Sequence, residues 1–497
     1  MHRLFLILLL AVLARAEQLR IRVTGESNQP IWTRLEVRGP DGRLHHPPDS
    51  IFDQRANNRT ISSPAIGAFV VEGECKLDLP AGRYTVIAEH GLEYDRVERA
   101  VDVPASVEIQ LKPWVQMSKL GWWSGDMHVH RPVEHAAALA QADDLNVSIV
   151  FTMWNRRNLW ADRPLPADPV VRVTGRHFYT LMNAEDERGG GAWMLHGLPR
   201  PLELAVPGRW FPAGIQFVQQ ARAMRESGKL FPWFDLEKLL WWEVPVIMAL
   251  APADSLGVLH NHFDQYGMLA NEAWGRPRDT AKFPGQEGFA AYTTGLYYRY
   301  LNLGFKLPPS AGSASGVLPN PVGYNRMYVK LDGPLSVEKW YATVRDGESF
   351  VTNGPMLFCT ARPQGKDVRV SVKTSAREPI DRIEIVANGE IVAQAAAPAN
   401  ALRFDKDFTV AAGNHSWIAA RAFLKTPFTV RMAHSRPVFL SGKWDASADK
   451  RYFTDWIDQL IARTKSDTKR FANETERNAI VELYQRARRF YAVSGDQ

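Results

Sequence analysis

Cysteine is nearly absent: Cys75 and Cys359 are the two in 497 residues. They are too few for a thiolate metal site and lie far apart, so two buried free thiols is the reading, with a disulfide permitted by export but not indicated. No block of one charge sign occurs either. The formal net charge is +6 with basic and acidic residues interspersed, which describes a solvated surface and not a nucleic-acid footprint. Beyond the N-terminus no apolar run approaches the roughly 20 residues a membrane helix requires. The N-terminal run itself, residues 4–13, is shorter than that. With His2 and Arg3 before it and Ala14-Arg15-Ala16 after it, residues 1–16 read as a secretory signal, which sends a chain beginning at Glu17 to the periplasm or the medium.

What is present divides the chain by hydrophobic period. Residues 17–115 carry short alternating runs such as Leu19-Arg20-Ile21-Arg22-Val23 and Tyr84-Thr85-Val86-Ile87-Ala88, separated by turns such as Gly39-Pro40-Asp41-Gly42. These predict a small β-sandwich that packs or carries and has no catalytic character. Residues 116–355 change pattern. Apolar runs at 147–153, 178–182, 192–196, 244–250 and 257–260 have the look of buried parallel strands, and they alternate with helical stretches at 136–144 and 214–227, the signature of an α/β barrel or a related layered fold. Period two returns over residues 356–442, where Asn388-Gly389 signals a two-residue hairpin and a second sandwich is expected. Residues 443–497 form a helical tail whose apolar stripes (Phe453, Trp456, Ile457, Leu460; Ile480, Leu483, Tyr484, Ala487) pack on each other or on the sandwich, with Asn473 and Glu476 at capping-box spacing.

Chemistry concentrates in the middle. In Gly125-Asp126-Met127-His128-Val129-His130 two histidines separated by one residue on an extended strand point to one face, so both imidazoles reach one ion. His135 follows in the next turn. At a later strand end stand Glu185, Asp186 and Glu187, then Gly189-Gly190-Gly191 and His196. Further on comes His260-Asn261-His262. Carboxylate and imidazole donors from separate loops suit a catalytic Zn, Mn or Fe ion that leaves a position for water. Of the 16 tryptophans, Trp122, Trp123, Trp154, Trp193, Trp241 and Trp242 either wall a pocket for an aromatic substrate or, for at least half of them, fill the core. His45, His46 and His177 read as surface residues.

The order Gly-Asp-Met-His-Val-His, strand-end Glu, His eleven residues later in His-Gly-Leu, then Asn-His, resembles the PHP (polymerase and histidinol phosphatase) metallohydrolase superfamily. The flanking stretches 121–135 and 308–357, with "AGSASGVLPNPVGYNRMYV" and "RDGESFVTNGPML", are similar to its CehA/McbA branch, named for hydrolases of aryl carbamate esters. The resemblance implies an α/β fold with a PHP-like distorted (β/α) barrel flanked by N- and C-terminal β-sandwich domains. It implies one or two divalent transition-metal ions (Zn, Mn or Fe) held by His128, His130, Glu185, His196 and His262, with His135 as ligand of a further ion and His260 competing with His262. Glu185 is preferred to Glu187 by its spacing to His196. Asp126 and Glu185 are the expected catalytic carboxylates.

One departure stands out. Where the superfamily reads Gly-Ser-Asp-Ala-His, this chain reads Gly312-Ser313-Ala314-Ser315-Gly316. Two ligands are missing, a trinuclear centre is not expected, and Asp126, Asp254 and Asp235 are the acids available as substitutes. The implied activity is hydrolysis of an ester, carbamate or amide of a small molecule by metal-activated water. The alternatives are phosphoester hydrolysis at the same centre, or a secreted binding protein that has lost catalysis and holds a carbohydrate or another partner.

Overall fold

The computed structural model describes residues 16–52, 67–203, 210–467 and 469–492. The signal assignment to residues 1–16 falls outside them apart from Ala16, which opens the first strand. The described chain is mixed α/β, with seven α-helices and several sheets, and none of those helices is long and apolar enough to cross a membrane.

The N-terminal sandwich forms as its period predicts. In strand Ala16–Thr24, Leu19, Ile21 and Val23 are buried while Arg20 and Arg22 face solvent. This strand is the centre of a three-stranded sheet. Leu35, Val37, Phe69 and Val86 of the facing sheet close on it in one core, each contributing on the order of 1.5–3 kcal/mol on burial. Arg34 docks the sandwich on the middle segment by a two-pronged bond to Asp143 at 3.0 and 2.7 Å.

The middle strands hydrogen-bond into two sheets and not into one closed barrel among the described residues. One sheet contains Trp122–Val129 parallel to Val147–Val150, which is in turn parallel to Phe178–Thr180. Helix Val133–Ala142 makes the first crossover. The second sheet runs Arg157–Asn158, Met153–Trp154, Ala184–Arg188, Gly191–His196, Trp233–Leu236, Ser255–Leu259, Pro309–Ala311. A bridge between Val129 and Ser315 joins the two near their ends.

Two expectations fail here for identifiable reasons. Gly191–His196 is antiparallel to both neighbours; towards Ala184–Arg188 this is because Gly189 and Gly190 alone turn the chain and leave no length for a crossover. A Cβ on either glycine would lie 2.2 Å from Trp210 or 2.3 Å from Glu243, so the turn must be bare. Val244–Leu250 is a helix with Pro245 in its first turn; an apolar run buried all round has the same period signature as a buried strand.

The C-terminal sandwich is not separate at residue 355. Strand Ser349–Thr352 pairs with Met432–Ser435, so the first middle sheet continues through Trp417–Leu424, Ile380–Ala387 and Glu390–Ala396 as one 11-stranded sheet. Trp122, Tyr328 and Phe350 share a core with Ile383, Ile385 and Val370. The predicted hairpin turns at Asn388 and Gly389, with φ of 49° and 90°. The tail helices Ser447–Ser466 and Glu474–Tyr491 pack on each other, as expected, and on the middle segment, where the Trp456 indole donates to the Trp242 carbonyl (3.1 Å) and the Tyr491 hydroxyl to the Pro245 carbonyl (2.9 Å). Asn473 caps the second helix, accepting from Glu476 N at 2.9 Å. Trp122, Trp193, Trp241 and Trp242 are core residues. Cys75 and Cys359 are free thiols, pushed up to about 12 by burial.

Candidate metal centre

Strand Trp122–Val129 sends Asp126 and His128 to one face, and His130 continues the alternation just past its end. His128 Nε2 and His130 Nε2 lie 2.8 Å apart. Glu185, from strand Ala184–Arg188, places Oε2 at 2.7 Å from His130 Nε2 and 3.4 Å from His128 Nε2. The three side chains are buried, and their ligand atoms all lie within 4.8 Å of one another. Phe151 packs against both rings, and the Trp154 ring centre stands 4.6 Å from that of His130.

A carboxylate that no motif marks supports this cluster. Glu237, just past strand Trp233–Leu236, accepts from His128 Nδ1 at 2.9 Å and from the Lys238 ammonium at 2.6 Å. Its bond fixes the His128 tautomer so that the Nε2 lone pair faces Glu185 and His130, the outer carboxylate–histidine arrangement common at metal sites. Burial favours a neutral His128, yet the charges of Glu237 and Glu185 outweigh it and push His128 up to about 10. Burial disfavours the Glu185 anion too, but His128 and His130 hold its carboxyl well below the usual range. Lys238 already balances Glu237, so it is the buried Glu185 carboxylate that demands a cation at this point, and a proton or a metal ion meets that demand. The donor set, two imidazoles and one carboxylate, suits a divalent transition ion.

Comparison with family models, with curated proteins and with solved structures returned no match. The reading of the centre therefore rests on its own geometry.

The other expected residues separate into three groups. His196 and His260 are buried strand-end histidines whose Nε2 atoms have no hydrogen-bond partner; Nδ1 of the first bonds Tyr341 Oη at 2.9 Å, and Nδ1 of the second accepts from His262 N at 3.3 Å. Burial, followed by the charge of His128, pushes His196 down to about 3. His262 binds the carbonyls of Leu269 and Asn271 through Nδ1 at 3.2 and 3.0 Å. Burial, then Lys238, pushes it down to about 4. All three stand outside the 4.8 Å cluster.

Asp126 is a positioning group. Its carboxylate accepts from His128 N (3.0 Å), Ser313 N (3.0 Å) and Gly323 N (2.7 Å), locking the strand end to the 312–323 loop, while burial raises it to about 6. Asp235, raised to about 7 by burial, bonds Ser255.

The structure does not bring His135 or Asp254 to the cluster. His135 sits half-buried in the first turn of helix Val133–Ala142. Asp254 is spent on Arg225 and on Phe234 N (2.8 Å). His177 is not a surface residue: it is buried, with Nε2 3.2 Å from Asp144.

The altered motif has its own logic. A Cβ on Gly312 would sit 2.5 Å from His128 Cβ and 2.9 Å from Glu237 Oε1. The Ser315 carbonyl accepts from His130 N at 2.8 Å, and its hydroxyl accepts from Arg131 Nε at 2.9 Å. Gly316 is left-handed (φ 99°), and a Cβ there would meet the His130 carbonyl at 2.7 Å. The loop thus cradles the histidine strand without adding ligands.

Proposed function

We propose that this chain is an exported, metal-dependent hydrolase of the PHP, CehA/McbA kind, acting on an ester, carbamate or amide of a small molecule. The observation that carries the reading is the buried convergence of His128, His130 and Glu185 with His128 oriented by Glu237. These three would hold a Zn, Mn or Fe ion, and the unpartnered Nε2 atoms of His196 and His260 are the next donors for a second. When bound, such an ion supplies Lewis acidity and a water of lowered pKa. The chain's own residues do the rest. Glu237 keeps His128 Nδ1 protonated, Lys238 keeps Glu237 ionised, and Phe151 and Trp154 hold the His130 ring by packing on it. Hydrolysis adds water across the acyl bond and yields an acid and an alcohol or amine.

Elemental analysis of the purified protein, beside a His128→Ala, His130→Ala double variant, is the test. One or two equivalents of a transition metal, lost in the variant, together with turnover of aryl esters or carbamates, support the reading. A wild type that takes up no ion from Zn or Mn solutions removes it in favour of a non-catalytic binding protein. Phosphoester hydrolysis is the second reading, favoured by Arg131, Arg157 and Arg163 around the adjoining cavity.

A further inference from the structure

Beside His130 opens a cavity of about 570 Å³ whose wall is unlike the rest of the centre. Phe151 and Trp154 give it two aromatic faces, and Arg131, Arg157 and Arg163 give it three guanidinium groups against one acid, Glu134. Two of the arginines are placed by contacts, and Arg163 lines the same wall. Arg131 is anchored through Nε on Ser315 Oγ at 2.9 Å. Arg157 pairs with Trp154 in the short hairpin of strands Met153–Trp154 and Arg157–Asn158, its guanidinium 5.7 Å from the Trp154 ring centre. That hairpin is bolted to the strand carrying Glu185: Asn155 N donates to the Glu185 carbonyl at 2.9 Å, and Asn155 Oδ1 accepts from Glu187 N at 2.6 Å. Among the described residues neither Arg157 nor Arg163 is paired with a carboxylate.

An aromatic face flanked by the guanidinium groups of Arg157 and Arg163 is complementary to a planar ring bearing an oxyanion, because guanidinium binds carboxylate and phosphate through paired, charge-assisted bonds. We infer that this cavity is a subsite for an oxyanion carried on an aromatic ring, held by Arg157 and Arg163 over Trp154 while the bond to be cleaved faces His130. The inference rests on the hydrolase reading for the cleavage step alone. Carboxylate and phosphate share the chemistry, so both enter the test.

Isothermal calorimetry on the protein as purified, with benzoate, phenyl phosphate and benzamide, reads the preference directly. The expected result is that at least one anion binds about tenfold or more tightly than neutral benzamide, and that an Arg157→Gln, Arg163→Gln variant with unchanged metal content loses this margin. Benzoate as the preferred anion assigns a carboxylate-bearing substrate, and phenyl phosphate a phosphate-bearing one. Equal affinity for the anions and benzamide overturns the inference, and so does an anion preference that survives in the double variant, since the anion would then sit on the metal. Anion binding without hydrolysis of any ester sinks the hydrolase reading and leaves the subsite standing; hydrolysis with no charge preference does the reverse.

Discussion

Replacing Glu237 by Gln separates two roles that one carboxylate performs. In the wild type Oε1 accepts from His128 Nδ1 at 2.9 Å and Oε2 accepts from Lys238 Nζ at 2.6 Å. Glutamine offers one acceptor oxygen to two donors, so either the imidazole or the ammonium loses its partner. The ammonium is the costly one: its side chain is 6% exposed, and removing one member of a buried ion pair costs ~3–5 kcal/mol. Glu185 and Glu187 still act on Lys238 from nearby, which places the expected loss at the lower end, about 3 kcal/mol. Adding Lys238→Met removes the stranded charge and returns most of that stability. Metal affinity follows a different course, falling ~10–100-fold in both the single and the double variant, because the outer carboxylate on His128 is gone in each. Hydrogen exchange over residues 233–260 measures the first effect locally, avoiding a two-state treatment of a chain this large; competition with a chelator measures the second. A single variant within ~1 kcal/mol of wild type, or a double variant no more stable than the single, would refute the assignment of Glu237 and Lys238 as one buried pair.

Gly312→Ala drives a methyl against His128 Cβ at 2.5 Å and Glu237 Oε1 at 2.9 Å, and overpacking of this kind costs ~1–3 kcal/mol; a lowered melting temperature with weakened metal retention is expected. Glu93, raised from 4.5 to about 7 by burial and then by the Asp144 charge, accepts from Tyr328 Oη and Met117 N at 3.0 and 2.8 Å. Its folded pKa lies above its unfolded one, so its contribution is full below about 4.5 and is lost as pH rises through about 7. Glu93→Gln should therefore match wild type near pH 4.5 and gain over it by at most ~3 kcal/mol above pH 7 in urea melts. Asn473→Ala removes the cap on Glu476 N and should cost about 1 kcal/mol, read as faster amide exchange in the first turn of helix Glu474–Tyr491.

Glu185 is singled out by the resemblance and its spacing to His196, and it stands second in strand Ala184–Arg188. His128 and His130 were legible because a strand's period of two is a local fact. The sandwich strands, the Asn388-Gly389 turn and the Asn473 cap were legible for the same reason. Glu237 and Lys238 carry no motif. Their signal is faint, a charged pair straight after the strand Trp233–Leu236, and what makes them part of the site is a 109-residue return of the chain to His128. His135 and Asp254 show the opposite case: each has a ligand's chemistry at a plausible place in the sequence, but neither joins the three-residue cluster, one lying in the first turn of a helix and the other bonded to Arg225. The run 244–250 was ambiguous in principle, since full burial erases the period that tells helix from strand.

The change of pattern at residue 355 looks like a place where the polypeptide could be divided, and the 11-stranded sheet says otherwise. Strand Ser349–Thr352 is held on one side by Arg326–Lys330, neighbour of the histidine strand, and on the other by Met432–Ser435. A fragment ending at 355 would strip that second side and present a raw row of backbone donors and acceptors two strands from His128. Punctuation in the sequence and the seams of the folded body do not coincide: the C-terminal third is less an appendage than the far wall against which the histidine strand is tensioned.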